Sequence, residues 1–516
     1  MQQRPDGLAN LTAGEPPQPL SHVTARAAVV SGSAEVVTRV LTVVLAIVTA
    51  RVLEPVEVGL LGLSVIVIGV VSMLGFYAET AAIAARGEEG EIQYAFAAAG
   101  IRAAILAGSL GLIWLTFSAI ARYLTGNDDS AGPLRELLLV LAWMPALELL
   151  SGYPQVMMQR RLELSFIARL QILQPVLFVT LAVVLLVTGY GYIGVAWANI
   201  ASSAAVALLL WWRLVSSGAA LWTGWPSRRV WRETLRGTTK VLIGGFGGYL
   251  SGRLDNLLVA SAIGPAAMSF YSMAWNASRT PANVFAKAIN FVLVPTLARI
   301  QDDPSRVQRA LRECVRNSYL LLSPACAILF VTAPLLVSYV IGPKWLPLVP
   351  ALRVMCFTVL AVPIVFTSGA LLVGTGRAHL TAVATSVHLA ALFIAIPLLS
   401  GRWGILGAAY ADCLAVALLT LTLGATAWFA TRQIGLPILK TAVVPLLAAL
   451  SSGCLAFLLT SSIQSDVLRF SLGGCFTAIG YLLIVAVLGG RGRLVNLLQL
   501  LLTLARRSPM SAELQT

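Results

Sequence analysis

AAVVSGSAEVVTRVLTVVLAIVTA, residues 27–50, is an apolar run with two opposite charges, Glu35 and Arg39, in its middle and Arg51 at its close. A membrane-spanning helix needs about 20 mostly apolar residues, so this run is expected to cross a bilayer. An arginine at the centre of such a helix costs about 2.5–3.5 kcal/mol on insertion scales, so it is expected to face protein or a wet cavity. Charges recur in later apolar stretches as Glu79, Glu148, Arg253, Asp255, Arg279, Lys287, Arg353 and Asp412. A membrane protein that keeps so many charges in its spans is expected to move something polar across the bilayer.

The rest of the chain extends this pattern. Of 516 residues, 58% are hydrophobic and 11% charged, against about 25% charged in soluble domains. The chain reads as an all-α polytopic membrane protein with no segment long enough for a separate catalytic domain. Apolar runs near 27–51, 58–84, 94–121, 136–158, 164–188, 193–213, 240–262, 267–298, 316–341, 346–373, 379–400, 404–430, 438–461 and 469–490 suggest about fourteen spans. With the N-terminus inside, about 24 Lys/Arg fall on the cytoplasmic side and about 6 outside, so both termini are expected in the cytoplasm. The strongest inside signals are Arg228, Arg229, Arg232, Arg236 and Lys240, then Arg299, Arg306, Arg309, Arg312 and Arg316. The net charge of +14 is thereby assigned to loops beside anionic lipid and not to nucleic-acid binding.

Several chemistries have no support. The six cysteines form no Cys-x-x-Cys pair and there are three histidines, so no metal site, disulfide or cofactor is expected. His388, in an apolar span, reads as a packing residue. No G-x-x-x-x-G-K-[ST] phosphate loop occurs, which excludes ATP hydrolysis by that route. Asp128-Asp129 and Asp302-Asp303 are isolated pairs that read as solvated turns, so an enzyme is not expected.

An internal repeat organises the spans. Gly191-Tyr-Ile-Gly194-Val-Ala-Trp197-Ala-Asn199 matches Gly404-Ile-Leu-Gly407-Ala-Ala-Tyr410-Ala-Asp412, 213 residues later. A fainter echo links Ala50-Arg51-Val-Leu53-Glu-Pro55 to Ala260-Ser-Ala-Ile263-Gly-Pro265. Repeats of six spans keep the same orientation, so two parallel six-helix lobes related by a pseudo-two-fold are expected. The expected order is a cytoplasmic tail at 1–24, an N-lobe at 25–217, a basic linker at 218–239 and a C-lobe at 240–430. Two extra helices at 437–490 and a basic tail at 491–516 follow.

Residues 50–60, ARVLEPVEVGL, resemble a segment of the polysaccharide exporters that flip undecaprenyl-diphosphate-linked oligosaccharides, in the multidrug/oligosaccharidyl-lipid/polysaccharide superfamily. Gln159-Arg160-Arg161-Leu162 with Phe166, the stretch from Tyr249 to Asn256, and Phe270-Tyr271 through Pro281 to Asp302 are similar to further parts of that family. The resemblance covers most of residues 25–430. It implies a multi-pass transporter of the bacterial cytoplasmic membrane, working by alternating access on a polyprenyl-diphosphate-linked glycan. Anionic lipids and a polysaccharide polymerase are the implied partners. An ion-coupled multidrug exporter and a lipid II flippase are the alternatives within the superfamily. Where the lipid II flippase carries an arginine–aspartate pair between the positions of Arg39 and Arg51, this chain has Leu45-Ala46.

For such a cargo the diphosphate needs guanidinium or ammonium groups. Arg39, Arg51, Arg253, Arg279 and Lys287 are the candidates. Arg279, Asn283 and Lys287 follow at i, i+4 and i+8, one stripe of a helix, with Asn276 a turn earlier. Glu35, Glu79, Asp255 and Asp412 are candidates for ion pairs or for a coupling cation. Gly244, Gly248 and Gly252 are expected to form a smooth helix-packing face or, alternatively, a bendable seventh span. Pro281, Pro295 and Pro363 are expected to mark kinks.

Overall fold

The computed structural model describes residues 37–84, 91–125, 128–161, 163–218, 225–432, 436–460 and 466–489. Glu35 lies outside them. Among the described residues the chain is helical, with no strand. A helix over 37–52 (α1) is followed by α2 (Pro55–Ala84), α3 (Glu91–Thr125), α4 (Asp128–Leu141), α5 (Trp143–Arg160), α6 (Leu164–Val187) and α7 (Gly191–Ser216). Then come α8 (Arg228–Ser251), α9 (Leu254–Ile263), α10 (Pro265–Ile300), α11 (Pro304–Leu336), α12 (Val349–Val359), α13 (Val362–Gly374), α14 (His379–Thr431), α15 (Leu436–Thr460) and α16 (Asp466–Gly489).

Seven of these regions are long and apolar enough to cross a membrane, or eight if one bent pair counts as a single span. Where they are described, the expected spans fall mainly on helix, with interruptions at Ala142, Gly252-Arg253 and Leu360-Ala361. The 53-residue α14 would be about 80 Å long if straight, more than twice the bilayer core. It is two helices joined at Gly404, whose φ of 57° lies in the left-handed region open to glycine. At Gly407 a Cβ would sit 2.0 Å from the Leu399 carbonyl oxygen, so only glycine lets the halves approach this closely. The first copy of the repeat does the same job: Gly191 has φ 58°, and a Cβ at Gly194 would press on Tyr190 and Leu185.

Prolines set several breaks. Pro145 follows the one-residue gap between α4 and α5, and Pro363 follows the two-residue gap between α12 and α13, where the axis bends by 40°. Helix α10, by contrast, runs unbroken through Pro281 and Pro295. The seventh expected span is broken between α8 and α9 at Gly252-Arg253. There the expectation of close packing fails: a Cβ at Gly248 meets nothing within 4 Å, and one at Gly252 meets only its own helix backbone. Gly248 and Gly252 thus seat no neighbouring helix among the described residues, and the surroundings of Gly244 lie outside them.

The two turns of the fainter echo meet. Pro55 opens α2 and Pro265 opens α10. Gly59 lies so close to the second turn that a Cβ there would sit 2.0 Å from the Pro265 oxygen. Beside this contact, Arg51 donates through Nε to the Val340 carbonyl at 2.9 Å and through Nη2 to that of Tyr339. Lys344 donates to the Leu53 carbonyl at 2.7 Å, and the wholly buried Trp345 indole to that of Ala50 at 2.8 Å. The two halves of the chain are thus strapped together at the end of the bundle where α1 finishes. At the other end the start of α8 is tied to α3 by the Tyr94 hydroxyl, which donates to Glu233 at 2.7 Å. That contact and the neighbouring Arg229 hold the Glu233 carboxyl below its usual range.

Candidate functional site

Two charge clusters sit among the apolar helices. In the first half, Arg102 of α3 pairs with Glu79 of α2 and, at 2.7 Å, with Glu148 of α5. Arg102 and Glu79 are buried. Room for them comes from glycine. A Cβ at Gly75 would sit 2.6 Å from the Arg102 Nε, and one at Gly152 would sit 2.2 Å from a Glu79 oxygen. Arg102 went unremarked in the sequence reading, although a charge in an apolar run was the available signal. What that signal lacks is the partner: the three residues stand 23 and 46 positions apart and meet only in the fold.

The second cluster joins α9, α10 and both halves of α14. Arg279 on α10 donates from Nη2 to both Asp412 oxygens at 3.2 Å, and its guanidinium lies 4.6 Å over the Trp275 ring. Asp412 is 2% exposed. Asp255 accepts from the Tyr271 hydroxyl at 3.2 Å and from the Asn256 backbone and side-chain amides. Arg253 is exposed at the break before α9. His388 is buried in the first half of α14, and its Nδ1 has no hydrogen-bond partner among the described residues. The Nε of Arg279 and the Oδ1 of Asn256 are likewise buried without a partner.

By formal count each cluster carries two carboxylates and one guanidinium. The charge described at these two places is thus acidic by one: an isolated guanidinium is unstable in an apolar interior and is matched by carboxylates. Arg279 is brought into the second cluster together with Asp255 and Asp412. Arg51 is not; it holds the lobe strap. Arg39 is exposed on α1, and Asn276 is exposed with its amide on the Ser272 carbonyl. Asn283 and Lys287 lie on α10, but their side chains are outside the described residues. Glu79 is an ion-pair residue.

The fold aligns with the lipid II flippase MurJ in an inward closed conformation, at 13% identity and TM-score 0.73, covering 89% of this chain and 98% of that one. An inward-facing multidrug resistance MATE family transporter of the MOP superfamily aligns at 16% identity and TM-score 0.59, covering 77% of this chain and 96% of that one. The chain thus has a multi-pass, all-helical membrane fold shared with both of these proteins. Residues 48–350 match the family described as polysaccharide biosynthesis protein, and the chain belongs to it.

Two curated relatives align over part of their length. One is an uncharacterized membrane protein in the cps region of Klebsiella pneumoniae, 27% identical over 162 residues, 31% of this chain and 33% of the relative. The other is the lipopolysaccharide biosynthesis protein WzxC of Escherichia coli strain K12, 27% identical over 133 residues, 26% of this chain and 27% of the relative. The alignments thus span about a third or less of these relatives.

Proposed function

We propose that the protein is a flippase that moves undecaprenyl-diphosphate-linked oligosaccharide from the cytoplasmic to the outer leaflet by alternating access, for polysaccharide synthesis. Its family and its part-length relatives support the pathway. The observation that carries the mechanism is Arg279. This guanidinium is fixed by Trp275 and Asp412 through one nitrogen, and 21% of its side chain stays exposed. A phosphate oxygen reaching it would find donors already oriented, which lowers the ordering cost of binding. Arg39, Arg253, Lys287, Asn276 and Asn283 complete the proposed polar path. The strap at Arg51 and Lys344 closes the outer end while cargo enters from the basic, cytoplasmic end.

The acid excess in both clusters favours a second feature, coupling to a cation. Asp255 and Asp412, and Glu79 with Glu148, are the groups on which a proton or metal cation would compensate charge. The same excess would suit a cationic drug as cargo. Proteoliposomes loaded with a fluorescent undecaprenyl-diphosphate oligosaccharide separate these readings. Wild-type protein should expose the label to an external quencher and Arg279→Ala should not. Equal exposure by the two, with drug resistance conferred on a susceptible deletion strain, would replace the glycan reading by the drug reading.

A further inference from the structure

Helices α15 and α16 pack against α11 at the end of the bundle that carries the lobe strap. Between them and the second lobe lies a cavity of about 120 Å³, walled by Val331 and Leu335 of α11, Arg353 of α12, Phe457 and Thr460 of α15 and Arg469 of α16. This is several times the space one water needs. Its level is set by the chain. Leu335 is one residue from the end of α11, Thr460 is the last residue of α15, and Arg469 and Arg353 lie within the first turns of α16 and α12. All four ends lie opposite the basic starts of α8 and α11.

Two guanidiniums, those of Arg353 and Arg469, line this one cavity, where like charges repel. Arg353 is anchored, with Nε donating to the Phe330 carbonyl at 3.2 Å and its plane 5.3 Å over the Phe330 ring. Among the described residues neither arginine is paired with a carboxylate, unlike Arg102 and Arg279. Like charges held together in an apolar wall are costly unless an anion lies between them. The flanks identify where that anion comes from: Leu455, Leu458, Leu459 and Leu468 are exposed on α15 and α16 beside the cavity mouth, a surface for acyl or prenyl chains.

We propose that this cavity binds the phosphate of an anionic lipid, clamped between Arg353 and Arg469, in the leaflet opposite the basic starts of α8 and α11. The phosphate belongs either to a membrane phospholipid or to a polyprenyl phosphate carrier. The site is separate from the Arg279 cluster and stands whatever the transported cargo proves to be. It would fasten the two additional helices to the second lobe through a lipid.

Native mass spectrometry of the delipidated full-length protein tests it, with separate titrations of dioleoylphosphatidylglycerol, undecaprenyl phosphate and dioleoylphosphatidylcholine. At least one of the two anionic lipids should bind more tightly than the zwitterionic one, and Arg469→Gln should weaken that lipid about tenfold, the loss of one charge-assisted contact. Preference for phosphatidylglycerol makes the site a phospholipid anchor, and preference for undecaprenyl phosphate makes it a carrier station; either supports the proposal. Indifference of the wild type among the three lipids overturns it without recourse to any variant. Unchanged anionic-lipid binding in a folded Arg469→Gln protein, checked by its melting temperature, overturns it equally.

Discussion

Asp412 holds Arg279 through a single nitrogen, Nη2, placed 3.2 Å from each carboxylate oxygen. The link joins α10 to the second half of α14, so the proposed phosphate-binding arginine is also a brace between helices. Pairing through one nitrogen leaves the other donors of the guanidinium in place, and its Nε has no partner.

Removing one member of a buried pair strands the other. Asp412→Asn and Arg279→Gln should each lower stability by roughly 3 kcal/mol, the low end for a broken buried pair because part of Arg279 reaches solvent. The double variant should regain most of that loss while export stays absent, since the cation is gone. Melting in detergent and complementation of an export-deficient strain measure the two effects. Single variants as stable as wild type would remove the brace.

The first cluster makes a sharper steric prediction. Gly152→Ala puts a methyl where the Glu79 carboxylate lies and should cost about 1–3 kcal/mol by overpacking, with further loss from the displaced ion pair. Gly108→Ala is the control: it lies on α3 with nothing within 4 Å, and should be neutral or stabilising by up to about 1 kcal/mol. Comparable loss in both would mean that helix flexibility matters more than the cluster.

At the strap, Lys344→Met removes the donor to the Leu53 carbonyl. Hydrogen exchange over Val337–Ile341 and Pro343–Leu348 should quicken roughly tenfold, because a hydrogen bond from a charged group contributes about 1.5 kcal/mol or more. Exchange unchanged in these segments would show that the Trp345 and Arg51 contacts suffice to keep this end closed.

Asp303 caps α11, accepting from the Ser305 hydroxyl and the Ser305 and Arg306 amides. The Ser305 hydroxyl bond, followed by the Arg306 amide, holds its carboxyl below the usual carboxylate value. A depressed value means the cap's stabilisation is present above the unfolded-state pKa and is lost as pH falls through the folded one. Asp303→Asn should therefore melt earlier than wild type at neutral pH, and the gap should close under acid. A gap that persists below the range of carboxylate titration would contradict the cap.

Much of the local order was readable in the chain. Gly191 and Gly404, matched by the repeat, both take left-handed backbone in equivalent turns, and Pro55 and Pro265 both open helices. These are properties of one residue and its neighbours, which a linear reading can reach. The packing of Gly248 and Gly252 was misread because four-residue spacing shows a face without showing what lies opposite it.

The sequence determined by itself that this is an all-helical membrane protein with a repeated architecture, since apolar length and periodic turns are encoded locally. Only the tertiary structure decided which charges meet. Arg102 finds Glu79 and Glu148, Arg279 finds Asp412 across 133 positions, and Arg51 turns to backbone carbonyls across 288 and 289. The reason is physical: in an apolar interior a charge must be neutralised by whatever the folded helices bring within a few ångströms, and distance along the chain carries no record of that neighbour.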